Sequence, residues 1–325
     1  MSETPVLEWD AIRAAADFLA QRLPASPLIG VANWHSAGGA PILIKAESLM
    51  PTGSFKIRGA TLRIAALDAA ARARGVVAYS TGNHAQAVAK AAADAGVGAT
   101  IIMSRDVPAA KIDATRAWGA EVVMAEPSSQ ARRMLAESLA ASKGATLVPP
   151  YDDLTVMTGQ ASIGVELLAQ LGASVPAAVY VPIGGGGLLA GVAAALRRVS
   201  PSTRIIGVEP ELEDDARQSF LSGKLVSAAG PSASIADAIK VQCLGNLTFP
   251  LIQRHVDQIV TVSEAEIAQA TLRYADEAHL IVEPGGAVAL AAALRSAHAG
   301  SAPVIALACG GNVTPERLAG LRGMH

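Results

Sequence analysis

The sequence predicts an α/β fold with mostly parallel sheets in two domains. Short apolar, β-rich runs alternate with long alanine-rich helical runs along the chain. The apolar runs are nearly continuous, as parallel strands covered on both faces require. At 325 residues the chain exceeds what one hydrophobic core ordinarily organises.

The strands, in order, are Pro41–Glu47, Val76–Ser80, Ala99–Met103 and Glu121–Ala125, then Ala178–Ile183, Arg204–Glu209, Gln258–Val262 and Pro303–Cys309. Between them lie helices with recognisable starts. Ser263 and Glu266 form an S-x-x-E capping box. Pro284 sits where a missing N–H costs little at a helix start. Ser54 is placed to cap a helix that puts Lys56 and Arg58 in its first turn.

Composition narrows the function. Hydrophobic residues make up 51% and aromatics 3%, which implies a close-packed core of Ala, Val, Ile and Leu. A net charge of −2, a pI near 6.3 and no basic run leave no electrostatic footprint for nucleic acid. Two cysteines, Cys243 and Cys309, cannot build a disulfide framework and suit a reducing compartment. The start MSETPVLEWD lacks the basic and apolar regions of a signal peptide, so a cytoplasmic protein is expected. Residues 177–196 carry no charge over a membrane-span length, but Pro182 and the glycines after it would break such a helix. Strand, loop and helix are expected there instead, with no membrane association.

PIGGGGLLAG (Pro182–Gly191) is a glycine loop between a strand and a helix. Bare N–H groups at a positive helix end make a phosphate site. No G-K-[ST] follows, so it is not a Walker loop. Gly185, Gly187 and Ala190 satisfy a degenerate dinucleotide pattern, and Glu209 ends the next strand where a ribose ligand would sit. On these residues alone a nicotinamide-dependent oxidoreductase competes with other phosphate ligands.

TGSFKIRGA (Thr52–Ala60) bears on that choice. Cations in a first helical turn oppose the helix dipole. Lys56 and Arg58 are therefore two solvated side chains or a functional exception. A lysine serving a phosphate cradle suggests a Schiff base with pyridoxal phosphate.

With these motifs assembled, the chain resembles fold-type II pyridoxal-phosphate enzymes of the threonine dehydratase and serine racemase family. The matching pieces, in family order, are SFKIRGA, STGNHAQAVA (Ser80–Ala89), GGGGLLAG, EPGGAVALAA (Glu283–Ala292) and CGGN (Cys309–Asn312). The cysteine synthases, with G-N-T in place of G-N-H, are a poorer match. The resemblance covers almost the whole chain and implies a tryptophan synthase β-like fold. It implies a large cofactor domain of residues 1–69 and 153–325 and a small substrate-side domain of residues 75–152. A homodimer is also implied. No separate regulatory domain is expected after Cys309.

Residue roles follow from the resemblance. Lys56 would carry the Schiff base and act as the base on Cα. Phe55 would line the cofactor ring and Asn83 would bond its phenolic oxygen. Gly184, Gly185, Gly186, Gly187 and Leu188 would cradle the phosphate. Glu283 would lie beside the cofactor, and Cys309 would face the pyridine nitrogen. Ser80, Thr81, Gly82, Asn83 and His84 would receive the substrate carboxylate. Thr81 stands where serine racemase has a serine acting on the opposite face of Cα, so a catalytic role and slow racemisation are expected of it. Arg132 and Tyr151 would face the substrate's distal end. Ala238 replaces a glycine usual beside the cofactor, and Val241 makes the distal pocket more apolar. Arg132 favours 3-hydroxyaspartate; Tyr151 and Val241 favour an aryl substrate such as 3-phenylserine.

The implied reaction is β-elimination of water from an L-β-hydroxy amino acid (serine, threonine, 3-hydroxyaspartate or phenylserine), giving a 2-oxo acid and ammonia. An amino-acid racemase is the nearest alternative, and an amino-acid-binding protein without turnover also suits the fold. Glu209, Glu213, Asp214 and Asp215 set four carboxylates within seven residues. Their spacing resembles the metal loop of serine racemase and its hydroxyaspartate dehydratase relatives. Glu209 and Asp215 would give carboxylate oxygens and Glu213 its backbone carbonyl, a set suited to Mg²⁺, Mn²⁺ or Ca²⁺.

Overall fold

A computed structural model describes residues 5–80, 82–228, 230 and 232–323. The expected role of Thr81 therefore lies outside the described residues.

Among the described residues ten strands form two sheets. They are β1 (Leu28–His35), β2 (Pro41–Lys45), β3 (Val76–Tyr79), β4 (Ala99–Ser104) and β5 (Glu121–Ala125), then β6 (Thr146–Leu147), β7 (Ala178–Pro182), β8 (Arg204–Pro210), β9 (Gln258–Val262) and β10 (Val304–Leu307). The larger sheet runs β1-β2-β10-β7-β8-β9 and the smaller β5-β4-β3-β6. Every pairing is parallel except β1 with β2. All eight expected strands are present, within three residues at each end.

β1 (LIGVANWH) and β6 (TL) are not among the expected strands. β1 is an edge strand whose register shifts between Gly30 and His35, and Asn33 takes a φ of 67° within it. β6 has two residues and exists only by pairing with β3. Helices cover both faces of the larger sheet. Its two cores are formed around helix Gly187–Val199 on one side and helix Pro284–Arg295 on the other.

The Ser263–Glu266 capping box forms as expected, and Pro284 opens its helix. Residues 177–196 fold as strand, loop and helix. Among the described residues no helix is long and apolar enough to cross a membrane.

Ser54 does not cap its helix. That helix is Lys56–Ala65, with Phe55 at the N-cap and no side-chain cap bond. Ser54 is instead drawn into a bridge with Gly310, a residue far along the chain. Lys56 nevertheless stands in the first turn. The helix docks closely on Leu154–Leu171, where a Cβ on Gly159 would lie 2.6 Å from the Gly59 Cα. Glycine is required at that contact.

Candidate active site

The cleft lies at the C-terminal ends of the parallel strands, where open α/β sheets place their ligands. Phe55 N donates to Cys309 O at 3.1 Å, which ties the Lys56 helix to the end of β10. Lys56 is half-buried, and its Nζ donates to Pro150 O at 2.5 Å. It also lies 5.1 Å from the Phe55 ring centroid. No carboxylate pairs with it among the described residues. Burial therefore lowers its pKa to about 8.

Two residues on, Arg58 is buried against two carboxylates. Nε and Nη2 donate to Glu47 at 2.8 and 2.9 Å, and both terminal nitrogens donate to Glu166 at 3.0 Å. Burial works against that charge, but Glu47 and Glu166 outweigh it and raise the Arg58 pKa. Arg58 is thus a framework residue, not a solvated one.

The glycine loop meets the helix at Gly186, which takes a φ of 90° at the N-cap. Thr248 Oγ1 donates to Gly185 O at 2.7 Å. A Cβ on Gly185 would run into the Tyr151 ring, and one on Gly187 would lie 2.8 Å from the Tyr151 Cβ. A Cβ on Gly184 would meet Ile239 O at 2.9 Å. The loop is therefore packed rather than loose, and its glycines let neighbours close in. Leu188 begins the helix behind it. Val241 also borders the loop, 3.3 Å from the Cβ position on Gly184. Ala238 is accommodated, its methyl 3.2 Å from the Cβ position on Gly285.

Asn83 opens helix Asn83–Asp94 and is held twice. Its Nδ2 donates to Glu283 at 2.5 Å and its Oδ1 accepts from Asn312 at 2.7 Å. Asn312 in this role is absent from the sequence expectations, although CGGN includes it. Glu283 is 2% exposed, and burial raises its pKa to about 7. Cys309 is buried too, and burial first, then Glu283, pushes its thiol well above the ordinary range. It stays neutral. Ser80 Oγ accepts from Gly82 N at 3.2 Å. His84 is buried, its Nε2 is 2.9 Å from Val148 O, and burial lowers its pKa to about 3. Its ring is a neutral anchor to the small sheet.

Arg132 hydrogen-bonds Ser129 of its own helix at 3.0 Å. Among the described residues no hydrogen bond carries it to the cleft. Tyr151 is at the cleft and against the phosphate loop, with burial raising its phenol pKa.

Glu209, Glu213 and Asp215 are all buried, and burial raises them to about 9, 7 and 6 respectively. Glu209 accepts from Arg217 N at 2.7 Å and Ala216 N at 3.2 Å, so it caps helix Asp215–Ser222. Its carboxylate is thus engaged by main-chain N–H groups of that helix. Among the described residues no three His, Cys, Asp or Glu side chains form a metal-ligand set.

The residues around Lys56 do fit pyridoxal phosphate. A half-buried amine without a counter-carboxylate, a glycine cradle at a helix N-terminus and a neutral thiol converge there.

Comparison with known proteins agrees. Residues 20–310 match the family described as pyridoxal-phosphate dependent enzyme. The chain is 43% identical over 285 residues to an L-threo-3-hydroxyaspartate ammonia-lyase from a Pseudomonas species, covering 87% of this chain and 88% of that one. It is 36% identical to a serine racemase of Schizosaccharomyces pombe over 98% of each chain. The structure of maize serine racemase superposes with a TM-score of 0.92 at 33% identity, covering 97% of both chains.

Proposed function

Because this chain belongs to the pyridoxal-phosphate-dependent enzyme family, we propose that it removes water from an L-β-hydroxy amino acid, releasing a 2-oxo acid and ammonia. The observation that carries this reading is Lys56, an amine at the cleft held near pKa 8 by burial with no carboxylate to neutralise it. Bound pyridoxal phosphate supplies an aldehyde for that amine and an electron sink for Cα.

At neutral pH an amine of this pKa is partly unprotonated and can act as nucleophile and then as base on Cα. The glycine loop, with Leu188, offers its N–H groups to the phosphate. Asn83, fixed by Glu283 and Asn312, keeps one amide proton for the cofactor's phenolic oxygen. Phe55 lies beside the amine. Cys309 would face the ring nitrogen, and its buried thiol is too weak an acid to supply a negative charge there. A neutral partner at that position would favour elimination of the β-hydroxyl over racemisation. Residues 75–152 form the substrate side, with the substrate carboxylate at Ser80–His84.

The test is 2-oxo acid release from a panel of serine, threonine, 3-hydroxyaspartate and 3-phenylserine. No release from any of them overturns the proposal. Relatedness to a 3-hydroxyaspartate ammonia-lyase favours that substrate, whereas Tyr151 and Val241 beside the phosphate loop favour an aryl group. A head-to-head comparison of the two decides between them. Racemisation is the second reading, favoured by relatedness to serine racemases, and chiral analysis of recovered serine measures it. The buried acidic loop at Glu209, Glu213 and Asp215 is read as an oxygen-ligand site for Mg²⁺, Mn²⁺ or Ca²⁺ that orders the large domain. The assembly is read as a homodimer, supported by exposed Val6 and Leu154 along one apolar groove, and sedimentation tests it.

A further inference from the structure

Lys111 lies in helix Ala109–Ala117, after β4 in the small-sheet half of the chain. Its Nζ is 3.3 Å from Asp237 Oδ2, a residue 126 positions away on the other side of the cleft. Asp237 opens the short turn Asp237–Ile239, whose Ile239 O presses on Gly184 of the phosphate loop. The same Nζ would lie 4.0 Å from a Cβ on Gly82, within the carboxylate loop. Among the described residues beyond its chain neighbours, no other side chain comes within 4 Å of that position. Lys111 and Asp237 both lie near enough to Glu283 to act on its charge, with opposite sign.

We propose that Lys111 is the cation that receives the substrate's α-carboxylate at the Ser80–His84 loop, exchanging it with Asp237. This rests on the reading that amino acids bind with their carboxylate at that loop. The physical argument is an exchange of partners. Lys111 and Asp237 are both partly exposed, with side chains 26% and 45% accessible. Such pairs contribute little, because water screens them and two long side chains must be held still. A carboxylate drawn into the cleft is less well solvated and gains more from a nearby ammonium. Lysine suits the exchange because its compact charge carries three donors on a flexible stem. Main-chain N–H groups of the loop fix the carboxylate's orientation, and Lys111 adds the full charge they lack.

The experiment titrates holoenzyme with L-alanine, which has no β-leaving group, and follows the cofactor absorption band. Lys111→Met is expected to raise the apparent Kd for alanine roughly 10-fold or more, the loss typical of one hydrogen bond to a charged group. Lys111→Arg keeps most of the affinity. Asp237→Asn leaves it unchanged or tightens it, because a competitor for Lys111 is gone. L-Alaninamide, which lacks the carboxylate, serves as the internal control and should respond equally in wild type and Lys111→Met. Unchanged alanine affinity in Lys111→Met overturns the proposal. So does equal weakening of alanine and alaninamide, or an Asp237→Asn defect as large as that of Lys111→Met, since either makes the pair a clasp between the two halves. The titration reads binding and not turnover. Failure of the elimination reading shows separately, in the 2-oxo acid assay.

Discussion

Lys56 and Arg58 stand in the same helical turn and meet opposite surroundings. Arg58 faces Glu47 and Glu166 with four hydrogen bonds, and nearby Lys45 shares Glu166 and donates to Ser26 O at 2.7 Å. Lys56 faces a backbone carbonyl and an aromatic ring. One cation is raised in pKa and the other lowered. The acidic side of the molecule repeats the contrast. Burial alone would raise Glu166, but Arg58 and Lys45 hold it below the ordinary carboxylate range. Glu209, Glu213 and Asp215 form no salt bridge among the described residues, and burial raises them, Lys240 offsetting only part of the effect at Glu213. A buried charge with its counter-charge belongs to the framework. A covered charge without one is a candidate place for a ligand, which mutation and chelation can test.

The largest effect should come from the unpaired lysine. Lys56→Ala removes nucleophile and base together and should lower turnover by more than about 10³-fold, with loss of the borohydride-reducible cofactor linkage. Near wild-type elimination by this variant would remove Lys56 from the mechanism and leave the contrast without meaning.

Arg58→Leu should instead break the fold. It strands Glu47 without a counter-charge and leaves Glu166 to Lys45 alone, a loss of roughly 3–5 kcal/mol for a broken buried pair. Urea unfolding measures it. A loss under about 1 kcal/mol would show that the cluster is well solvated after all.

The two halves of this contrast were unequally legible in the sequence. Lys56, the glycines, Asn83 and Cys309 lie in local motifs whose chemistry depends on adjacent residues, so the motifs could be read directly. The partners of Arg58 could not. Glu166 is 108 positions away, and only the docking of helix Lys56–Ala65 on Leu154–Leu171 brings them together. Ser54 shows the same limit, since its cap position is a local inference and its bridge to Gly310 is a tertiary fact. Strands with unbroken apolar runs were readable because burial on both faces demands them. β1 was not: LIGVANWH is a largely exposed antiparallel edge strand whose register shifts between Gly30 and His35, so burial on both faces does not shape it. The acidic loop was visible as a cluster, but the N–H groups that occupy Glu209 were not.

The acidic loop extends the contrast to a ligand. Chelation should lower the melting temperature, and added Mg²⁺ should restore it. At a metal concentration of 100 times Kd, binding stabilises the folded state by about 2.7 kcal/mol. If chelator is silent and Asp215→Ala changes nothing, Glu209 is simply a helix cap.

The smallest effect tests the lysine from the stability side, in apoenzyme. Lys56 has a pKa of about 8 when folded against 10.5 in the open chain. The folded state therefore binds fewer protons between those values, and wild-type stability should rise as pH climbs from about 8 to 10.5. Below 8 the penalty is constant, because both states are then protonated. Lys56→Met removes it, so the variant should be more stable than wild-type apoenzyme at pH 7. The side chain is only half-buried, and water at the cleft screens part of the effect, so a gain of about 1–2 kcal/mol is expected. That advantage should shrink toward pH 10 as the wild-type amine loses its proton. Arg58→Leu should show no such recovery, because guanidinium stays charged throughout. Paired pH series of melting temperature for the two variants check this. A Lys56→Met variant less stable than wild type at pH 7 would mean that the amine is paired in solution, and the contrast between the two cations would fail at its starting point.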